Sequence, residues 1–204
     1  MQIIPIESFA NKISVSTQEL VDMYMDRSKP DNVSDCFRPP IAGGWSHKIT
    51  PQGVMSYYSG AKNGIREYVE LYKNGIVEVV RCDTVGTTTA DEGKFLSMKY
   101  LENVLLDCIP RYLKLQKFLN IQTPSYIFIT LTGVKNCKVA RPSFYSNEDD
   151  YPISKEILYL PEAIIQSYDD DLAKILKPSF DIVWNHTGII QSPNYDKDGN
   201  FITK

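Results

Sequence analysis

Two short runs of apolar residues on either side of a glycine turn predict the central β-hairpin of this chain. The stretch Arg66–Cys82 is rich in Val, Ile, Tyr and Leu, with Asn74 and Gly75 between its two halves. Asn-Gly favours a type I′ turn, the usual loop of a two-residue hairpin. Such a loop would set Tyr72 opposite Val77 and would leave apolar side chains on both faces. We therefore expect this hairpin to lie inside a larger sheet that is covered on both sides.

Further strands are predicted before and after the hairpin. Gly53–Tyr58 has a strand-like composition and is followed by a turn at Gly60–Gly64, so the three strands should form a meander. Tyr126–Leu131 is apolar at nearly every position, which favours a central strand buried on both faces. Cys137–Ala140 is expected to pair with it, and Glu156–Leu160 predicts one more strand.

The strongest helical pattern lies in Phe95–Leu119. Apolar residues recur there at alternating spacings of three and four, which predicts a continuous stripe suited to a helix that lies across a sheet. Pro110 falls inside this pattern and removes one helical hydrogen bond, so we expect a kink there or two abutting helices. The stripe consists of Met98, Leu101, Leu105, Cys108, Tyr112, Leu115 and Leu119.

Capping signals mark the starts of two other helices. Ser16 and Glu19 have the spacing of a capping box, and the helix that they open should continue to about Arg27. Three consecutive carboxylates, Asp169–Asp171, open a last helix because negative charge is favourable at the positive end of the helix dipole. Gly188 is expected to close that helix.

The remaining segments predict irregular or peripheral structure. Ile3–Phe9 is apolar but contains Pro5, which favours an edge strand or an extended segment. Ser28–Ile41 has several Pro, Asp and Ser residues and predicts an exposed loop. Gly86–Gly93 is rich in Thr and predicts a flexible connection, and Arg141–Ile153 predicts a polar loop.

Together these elements predict a single α+β domain over residues 1–204. Its antiparallel sheet is built on a central β-meander and is covered by one long kinked helix and a C-terminal helix. A chain of this length can bury the core of one large domain. The expected segments are a leading strand and helix in 1–30, the β-meander in 45–85, the long helix in 94–120, further strands in 125–160 and the C-terminal helix in 169–188.

Composition and charge narrow the class of protein. The 204 residues are 43% hydrophobic and carry a formal net charge of -3, so no global attraction to nucleic acid or anionic membrane is expected. The four cysteines are widely spaced and there are only two histidines, which argues against structural zinc and against a disulfide framework. No leader pattern and no run of ~20 apolar residues is present. We expect a soluble cytoplasmic protein that does not enter the membrane.

Two clusters of carboxylates, together with His186, are the candidate metal ligands. Their spacing matches no metal motif, and a solvated loop followed by a helix N-terminus explains them as well. We therefore predict no metal and no other cofactor. The alternative is a metal-assisted hydrolase or nuclease that uses these groups. The clusters are Glu148, Asp149 and Asp150, and Asp169, Asp170 and Asp171.

The C-terminal tail contains part of a calcium-loop pattern. Asn194, Asp196, Asp198 and Gly199 stand at positions 1, 3, 5 and 6 of such a loop. The bidentate Glu of the twelfth position would fall just after Lys204, and without it we expect the loop to offer too few oxygens to hold calcium. We interpret the segment as an Asp-Gly turn.

Basic residues on the long helix and around the following hairpin are candidates for contact with nucleic acid. Phosphate contact requires clustered Lys and Arg, but the polar face of any surface helix has the same appearance. Because the net charge is negative, we expect only weak, nonspecific binding of DNA. The candidates are Arg111, Lys114 and Lys117 on the helix, and Lys135, Lys138 and Arg141 beyond it.

Four blocks of sequence carry a resemblance to a known family. They are Ile3–Phe9, Arg38–Trp45 with Gly53–Tyr58, Tyr68–Glu78 and Leu131–Val134. Together they resemble the segment that follows a Schlafen AlbA-type DNA-binding domain in multidomain bacterial proteins. The resemblance implies a C-terminal module of a longer protein. The residues of that family that act on nucleotides or nucleic acid belong to the preceding domain, so no functional residue is carried over.

The resemblance implies a noncatalytic module for interaction, oligomerisation or ligand sensing. Its partners would be an N-terminal nucleic-acid-binding or ATPase-like domain and, in an oligomer, further copies of the chain. An exposed apolar patch or a dimer would favour this reading. The enzyme alternative instead requires Asp and His side chains that converge within about 3 Å of one point in a pocket.

Overall fold

The computed structural model describes residues 1–10, 13–25, 33–40, 43–60, 64–82, 84–87, 93–140 and 151–202. The chain divides into two compact units, and each unit is assembled from separate segments of sequence. The first comprises Met1–Cys82, Val104–Ile127 and Ile164–Asp170, and the second comprises Asp83–Asn103, Phe128–Ala163 and Asp171–Lys204. The single domain over residues 1–204 stays a prediction.

The described residues form strands and helices in mixed order along the chain. The strands are β1 (Gln2–Pro5), β2 (Ser46–Ile49), β3 (Gly53–Gly60), β4 (Gly64–Tyr72), β5 (Val77–Arg81), β6 (Val85–Thr87), β7 (Lys94–Leu96), β8 (Ser125–Phe128), β9 (Thr130–Thr132), β10 (Lys138–Val139), β11 (Ile157–Tyr159) and β12 (Ala163–Ile165). The helices are α1 (Thr17–Met25), α2 (Val33–Cys36), α3 (Met98–Phe118) and α4 (Leu172–Asn185), with a 3-10 helix at Ile6–Phe9.

The first unit is built on a seven-stranded sheet in the order β12-β8-β1-β5-β4-β3-β2. The strands β2, β3, β4 and β5 form an antiparallel meander, and β1 pairs antiparallel with β5. The predicted α+β class is therefore confirmed. The predicted edge position of β1 is wrong, since β1 lies between β8 and β5. Pro5 is tolerated because only Gln2 and Ile3 pair with β5, so its missing N–H lies outside that ladder.

The hairpin at Asn74 and Gly75 is confirmed, but its turn differs from the predicted type. The N–H of Tyr72 donates to the carbonyl of Ile76 (2.9 Å), so three residues form the loop instead of two. Gly75 takes the left-handed conformation at φ 82°, whereas Asn74 is not among the residues with positive φ. This geometry is that of a type I turn closed by a glycine bulge, which Asn-Gly supports as well as a type I′ turn.

The three-residue loop shifts the strand register by one residue. Leu71 faces Val77 and Val69 faces Val79, so four apolar side chains share one buried face. The prediction of apolar residues on both faces is wrong, because a shift of one residue changes which side chains stand together. The opposite face carries Tyr68, Glu70, Tyr72 and Glu78.

Helix α3 confirms the predicted apolar stripe, whose members are all buried except the half-exposed Leu119. The helix begins at Met98 because Phe95 belongs to β7, and it continues unbroken through Pro110. Two abutting helices are thus excluded. The side chain of Gln116 donates to the carbonyl of Gly75 (3.0 Å), which places the end of α3 over the hairpin turn.

Helix α1 opens with the predicted capping box. The N–H of Ser16 donates to the carboxylate of Glu19 (2.7 Å), and the N–H of Glu19 donates to the Ser16 hydroxyl (3.1 Å). Leu20 and Met23 are buried on its inner face. The helix is described to Met25, and the predicted end near Arg27 lies outside the described residues.

The exposed loop predicted for Ser28–Ile41 is wrong over its described part, residues 33–40. Short helix α2 lies there, and Val33, Cys36 and Phe37 are buried. These three residues have the i, i+3, i+4 spacing of one helical face. The surrounding Pro, Asp and Ser residues dominate the composition and conceal that spacing.

Two segments of the second unit differ from their predictions. One was predicted to be irregular and the other was predicted to pair with a different strand. The connection Gly86–Gly93 is flanked by paired strands β6 and β7, and its residues 88–92 lie outside the described residues. Strand β10 pairs parallel with β7, so the expected pairing of Cys137–Ala140 with Tyr126–Leu131 is wrong. Of the polar loop predicted for Arg141–Ile153, residues 141–150 are outside the described residues, and Ile153 is buried.

The apolar run Tyr126–Leu131 is divided between two strands. Ile129 separates β8, in the seven-stranded sheet, from β9, which pairs antiparallel with β11. Exposure alternates along the run, and Phe128 is 40% exposed, so burial on both faces is wrong. Alternation of this kind is typical of a sheet with one face open to solvent.

Helix α4 begins and ends as predicted. Asp171 is its N-cap, since its carboxylate accepts from the N–H of Lys174 (3.3 Å). Beyond the helix, Gly188 takes φ 79° and Ile189 N–H donates to the carbonyl of Trp184, which closes the end as a Schellman motif. Among the described residues, no helix combines the length and the apolar character that a membrane span requires.

Candidate functional site

The first unit contains a cleft beside α1, which we refer to as the α1 cleft. Its volume is about 480 Å³. One wall is α1, a second is the segment 13–15 that precedes it, and a third is the C-terminal end of α3 with the residues that follow. Glu7 of the 3-10 helix completes the rim. The cleft is the concave feature from which a binding function can be argued.

Local structure explains how the end of α3 forms one wall. Asn120 follows the helix in the left-handed conformation at φ 56°, which Asn tolerates better than most residues. Its N–H donates to the carbonyl of Lys117 (3.1 Å), and that of Ile121 donates to the carbonyl of Gln116 (3.0 Å). This Schellman motif turns the chain sharply, so that Ile121 faces back into the cleft.

The hairpin turn supports the floor of the cleft. A Cβ atom at Gly75 would lie 2.6 Å from Cδ1 of Ile121 and 3.3 Å from Cδ1 of Ile13, so the turn and the cleft lining are in close contact. The N–H of Val15 also donates to the carbonyl of Lys73 (2.8 Å). The segment 13–15 is thereby held against the hairpin.

The rim of the cleft is acidic. Glu7, Glu19 and Asp22 contribute carboxylates, and none of the described lining residues is Lys, Arg or His. Hydrogen bonds from Ser16 hold the pKa of Glu19 below its ordinary value. Asp22 accepts from the side chain of Gln18 (2.7 Å). Polar groups on the rim of a cleft can fix the orientation of a ligand.

Glu7 also influences a neighbouring tyrosine. Burial, with a contribution from the negative charge of Glu7, raises the pKa of Tyr168 to about 12. The Tyr168 hydroxyl donates to the carbonyl of Ile121 (2.8 Å), and the ammonium of Lys117 lies 5.8 Å from the centre of its ring. Tyr168 therefore stays neutral at physiological pH and fixes the backbone behind the cleft.

The second unit contains a buried carboxylate, Glu102, that the sequence analysis missed. It is 0% exposed and accepts from the indole of Trp184 (2.9 Å), the hydroxyl of Ser192 (3.0 Å) and the amide of Asn194 (2.6 Å). Burial, together with the charge of Asp181, raises its pKa. Because the group is sealed from solvent and fully hydrogen-bonded, it ties the tail to α3 and α4 and does not present a reactive surface.

A second group of polar residues that the sequence did not reveal lies on the face of the first unit's sheet opposite to Val69 and Leu71. Glu70 and Glu78 stand directly opposite one another on β4 and β5, an arrangement that costs stability when unrelieved. The hydroxyls of Tyr68 and Tyr72 donate to Glu78 (2.9 and 3.2 Å), and that of Thr50 donates to Glu70 (2.6 Å). These hydrogen bonds from hydroxyl groups stabilise the negative charge of both carboxylates. The one-residue register shift brought this set together, which is why the sequence did not reveal it.

The candidate nucleic-acid residues differ in their exposure. Arg111 is only 14% exposed, and its guanidinium donates to the carbonyl of Pro40 (3.0 Å) and pairs with Asp107 (3.1 Å). Lys114 and Lys117 are exposed on α3. In the second unit Lys135 and Lys138 are exposed, and Arg141 lies outside the described residues. Contact with nucleic acid stays a prediction.

The described candidate metal ligands form hydrogen bonds with nearby backbone groups or lie at the ends of α4. Asp170 accepts from the N–H groups of Gln166 and Ser167 (2.8 and 2.9 Å), Asp171 caps α4, and His186 follows that helix as its C-cap. Within the described part of the chain, no group of three or more His, Cys, Asp or Glu residues is placed to hold a metal ion. Glu148, Asp149 and Asp150 lie outside the described residues.

The tail forms the predicted Asp-Gly turn. The Asp196 carboxylate accepts from the N–H groups of Asp198 and Asn200 (2.9 and 2.8 Å), and Gly199 takes φ 79°. Hydrogen bonds from Asn200 lower the pKa of Asp196. Since Asn194 binds Glu102, two of the positions that would face a calcium ion are already occupied by protein groups.

In comparisons with protein-family models, with curated proteins and with solved structures, the chain has no significant match. The resemblance to the segment that follows a Schlafen AlbA-type domain therefore stays a prediction.

Proposed function

We propose that this chain is a noncatalytic ligand-sensing module and that the α1 cleft is its binding site. The observation that carries the proposal is the cleft itself, a concavity of about 480 Å³ with polar groups on its rim. Sites for small molecules are typically clefts of roughly 300–1,000 Å³ with apolar floors and a few polar groups that fix orientation. The α1 cleft has a volume in this range and polar groups that could fix the orientation of a ligand.

Because of the position of the cleft, a bound ligand would change the stability of the surrounding structure. A ligand there would touch α1, the segment 13–15 and the end of α3, and the last two of these pack against the hairpin turn. A ligand that binds only the folded arrangement stabilises that arrangement by mass action. Binding would therefore strengthen the docking of α1 through Leu20 and Met23, which are buried beneath it.

The described residues offer less support for the metal-assisted hydrolase. Asp170 and Asp171 bind backbone N–H groups, and Glu102 is sealed inside the second unit. A catalytic carboxylate has to reach substrate or metal. No observation among the described residues favours the enzyme over the binding module.

We propose further that the module accompanies a nucleic-acid-binding domain in a longer protein and that it self-associates. The support for these partners is the sequence resemblance described above. Size-exclusion chromatography with light scattering tests the self-association directly. A monomer at every concentration up to about 1 mM would contradict it.

Fragment screening by NMR tests the binding function. A panel of neutral, anionic and cationic fragments is added to the full chain, and amide chemical shifts are followed. Fragments that enter the cleft should shift Ser14, Asp22 and Asn120. Ser14→Trp, which fills the cleft from its exposed side, should abolish these shifts, whereas Ser46→Trp at an exposed position of the edge strand β2 should preserve them.

The proposal fails if no fragment of any charge shifts the cleft amides at about 10 mM, a concentration that reveals even millimolar affinities. It also fails if Ser14→Trp keeps the shifts of the wild type. Retention of wild-type amide spectra elsewhere shows that either variant is folded.

A further inference from the structure

The two-stranded sheet of the second unit has an open edge. Among the described strands, β11 pairs only with β9. The N–H of Leu160 donates to the carbonyl of Ile129 (3.0 Å), and successive residues of an antiparallel strand direct their backbone groups to alternate sides. Leu158 and Leu160 therefore bond toward β9, whereas Ile157 and Tyr159 direct their N–H and C=O groups away from it.

The same two residues carry exposed apolar side chains. Ile157 is 40% exposed and Tyr159 is 76% exposed, whereas Leu158 between them is buried. Their partners across the ladder are the exposed Thr132 and Thr130 of β9. This face of the sheet thus consists of β-branched and aromatic residues, the types that favour pairing with a further strand.

The edge of β11 lacks the charges that protect other sheet edges. Proteins commonly place Lys on edge strands, which discourages pairing with another chain. At the edge of the first unit's sheet, β2 contains the exposed Lys48, and at an edge of the three-stranded sheet, β10 contains the exposed Lys138. Strand β11 contains no charged residue. An open backbone edge without charge fits another β-strand.

We propose that the edge of β11 pairs antiparallel with β11 of a second copy of this chain. This inference rests on the self-association proposed above and assigns a surface to it. A two-fold axis at Leu158 sets Ile157 of each copy opposite Tyr159 of the other. Each of these pairs exchanges two hydrogen bonds, so the outward backbone groups of both residues are satisfied in both copies.

A second copy suits this edge because the register is complementary in side chains and in charge. Ile157 of each copy packs against Tyr159 of the other, and such aromatic and β-branched pairs stabilise a sheet. The same register sets Glu156 of each copy opposite Leu160, so the two carboxylates do not face each other. Pro161 follows closely and has no N–H to donate, which keeps the paired segment short. We therefore expect a weak dimer.

Concentration-dependent NMR of the full chain tests the pairing at single amides. Spectra are recorded from about 10 μM to 1 mM, and light scattering gives the mass at each concentration. The N–H groups of Ile157 and Tyr159 should shift as the dimer forms, because they gain hydrogen bonds. The N–H of Leu158, which is directed to β9, should shift much less.

Two substitutions at Tyr159 weaken the edge in different ways. Tyr159→Pro removes an N–H that is directed away from β9 and leaves the ladder with β9 complete, and Tyr159→Lys adds a charge to the edge. Each should raise the dissociation constant of the dimer at least about tenfold. Phe9→Ser removes an aromatic side chain that is 74% exposed outside any strand, and it should leave the dimer unchanged. Wild-type amide spectra elsewhere show that a variant is folded.

Disulfide trapping tests the register. Ile157→Cys and Tyr159→Cys are made as separate variants in a Cys82→Ser background, which removes an exposed free thiol. In the proposed register the two new cysteines face each other at a Cα separation of about 5.5 Å, within reach of a disulfide. A mixture of the two variants in glutathione buffer should form the mixed disulfide dimer. Either variant alone should form little, because its own two cysteines lie about 7–8 Å apart on the diagonal.

The assignment is overturned if a dimer forms but neither substitution at Tyr159 weakens it, or if the mixed disulfide forms no more readily than the two unmixed ones. Self-association survives that result and uses another surface. A monomer at every concentration up to about 1 mM overturns the assignment together with self-association, and leaves the edge to a strand of a different protein. The ligand-sensing function is unaffected by either result, because the fragment screen decides it separately.

Discussion

Substitution of Glu102 by Gln tests how the second unit accommodates a buried carboxylate. Glu102 has no exposed surface and accepts from three donors, on Trp184, Ser192 and Asn194. Gln has nearly the same shape and carries no charge. The substitution therefore separates the effect of the charge from the effect of the hydrogen bonds.

The magnitudes follow from what each replacement leaves unsatisfied. In Glu102→Ala, the indole of Trp184 and the hydroxyl of Ser192 lose their acceptor inside the protein, and an unsatisfied buried donor costs about 1–3 kcal/mol. With the cavity, we expect a loss of about 3–5 kcal/mol in the free energy of unfolding. In Glu102→Gln, the amide oxygen still accepts from Trp184 and Ser192, and the side chain of Asn194 can flip to accept. We expect a change of at most about 1 kcal/mol near neutral pH.

The effect of Glu102→Gln should depend on pH with a definite sign. Burial raises the pKa of Glu102 in the folded protein, so the folded state binds this proton more tightly than the unfolded state does. The wild type is then relatively most stable below the unfolded pKa of about 4.3 and loses stability as pH rises through the folded pKa. Glu102→Gln lacks this loss, so its stability relative to wild type should increase with pH across that window.

Urea unfolding followed by the fluorescence of Trp184 measures this difference. A Trp45→Phe background leaves Trp184 as the single reporter of the second unit. Unfolding is measured from about pH 4.5 to 8, and Glu162→Gln, which removes an exposed carboxylate, serves as the control. A wild type that gains stability relative to Glu102→Gln as pH rises would refute the reasoning. It would show that the three donors outweigh the cost of burying the charge.

Three further predictions concern the first unit and DNA. Gln116→Ala should lower the free energy of unfolding by about 2–4 kcal/mol, because it removes a buried amide that donates to the hairpin turn, while the neighbouring Lys117→Ala should cost under about 1 kcal/mol in the same urea experiment. Equal effects would contradict this. Ser16→Ala should destabilise α1 by about 1 kcal/mol and speed amide exchange at Glu19, whereas Ser14→Ala should not; unchanged exchange would speak against the cap. With its net charge of -3, the chain should bind labelled duplex DNA no more tightly than the ~10⁻⁴ to 10⁻⁶ M nonspecific range at physiological salt, and nanomolar sequence-selective binding would disprove this.

Features that depend on neighbouring residues were predictable from the sequence. The capping box of Ser16 and Glu19 and the N-cap at Asp171 were found because a cap is formed by residues three apart. The stripe of α3 was found because helical periodicity appears directly in the order of residues. Its interior Pro110 changed neither the extent of the helix nor the face that it buries.

The register of the central hairpin was not predictable in this way. Asn74 and Gly75 are compatible with a two-residue and with a three-residue loop. Gly75 adopts its turn while packed closely against Ile121 and Ile13, which are remote from it in sequence. With that register, Glu70 came to face Glu78, a juxtaposition that no local pattern indicated.

The sequence by itself indicated the α+β class and determined the stripe of α3 and the caps of α1 and α4, since the stripe and the caps depend on residues within one or two turns of chain. Which residues form the candidate site was decided only by the tertiary structure. Glu7, Asp22 and Phe118 share no motif, and they line one cleft because the segment 13–15 before α1 and the end of α3 both pack against the hairpin turn. Glu102 gained its role in the same manner, through donors more than eighty residues away. Burial and charge balance at such places depend on which distant segments meet, and that is set by packing rather than by local order along the chain.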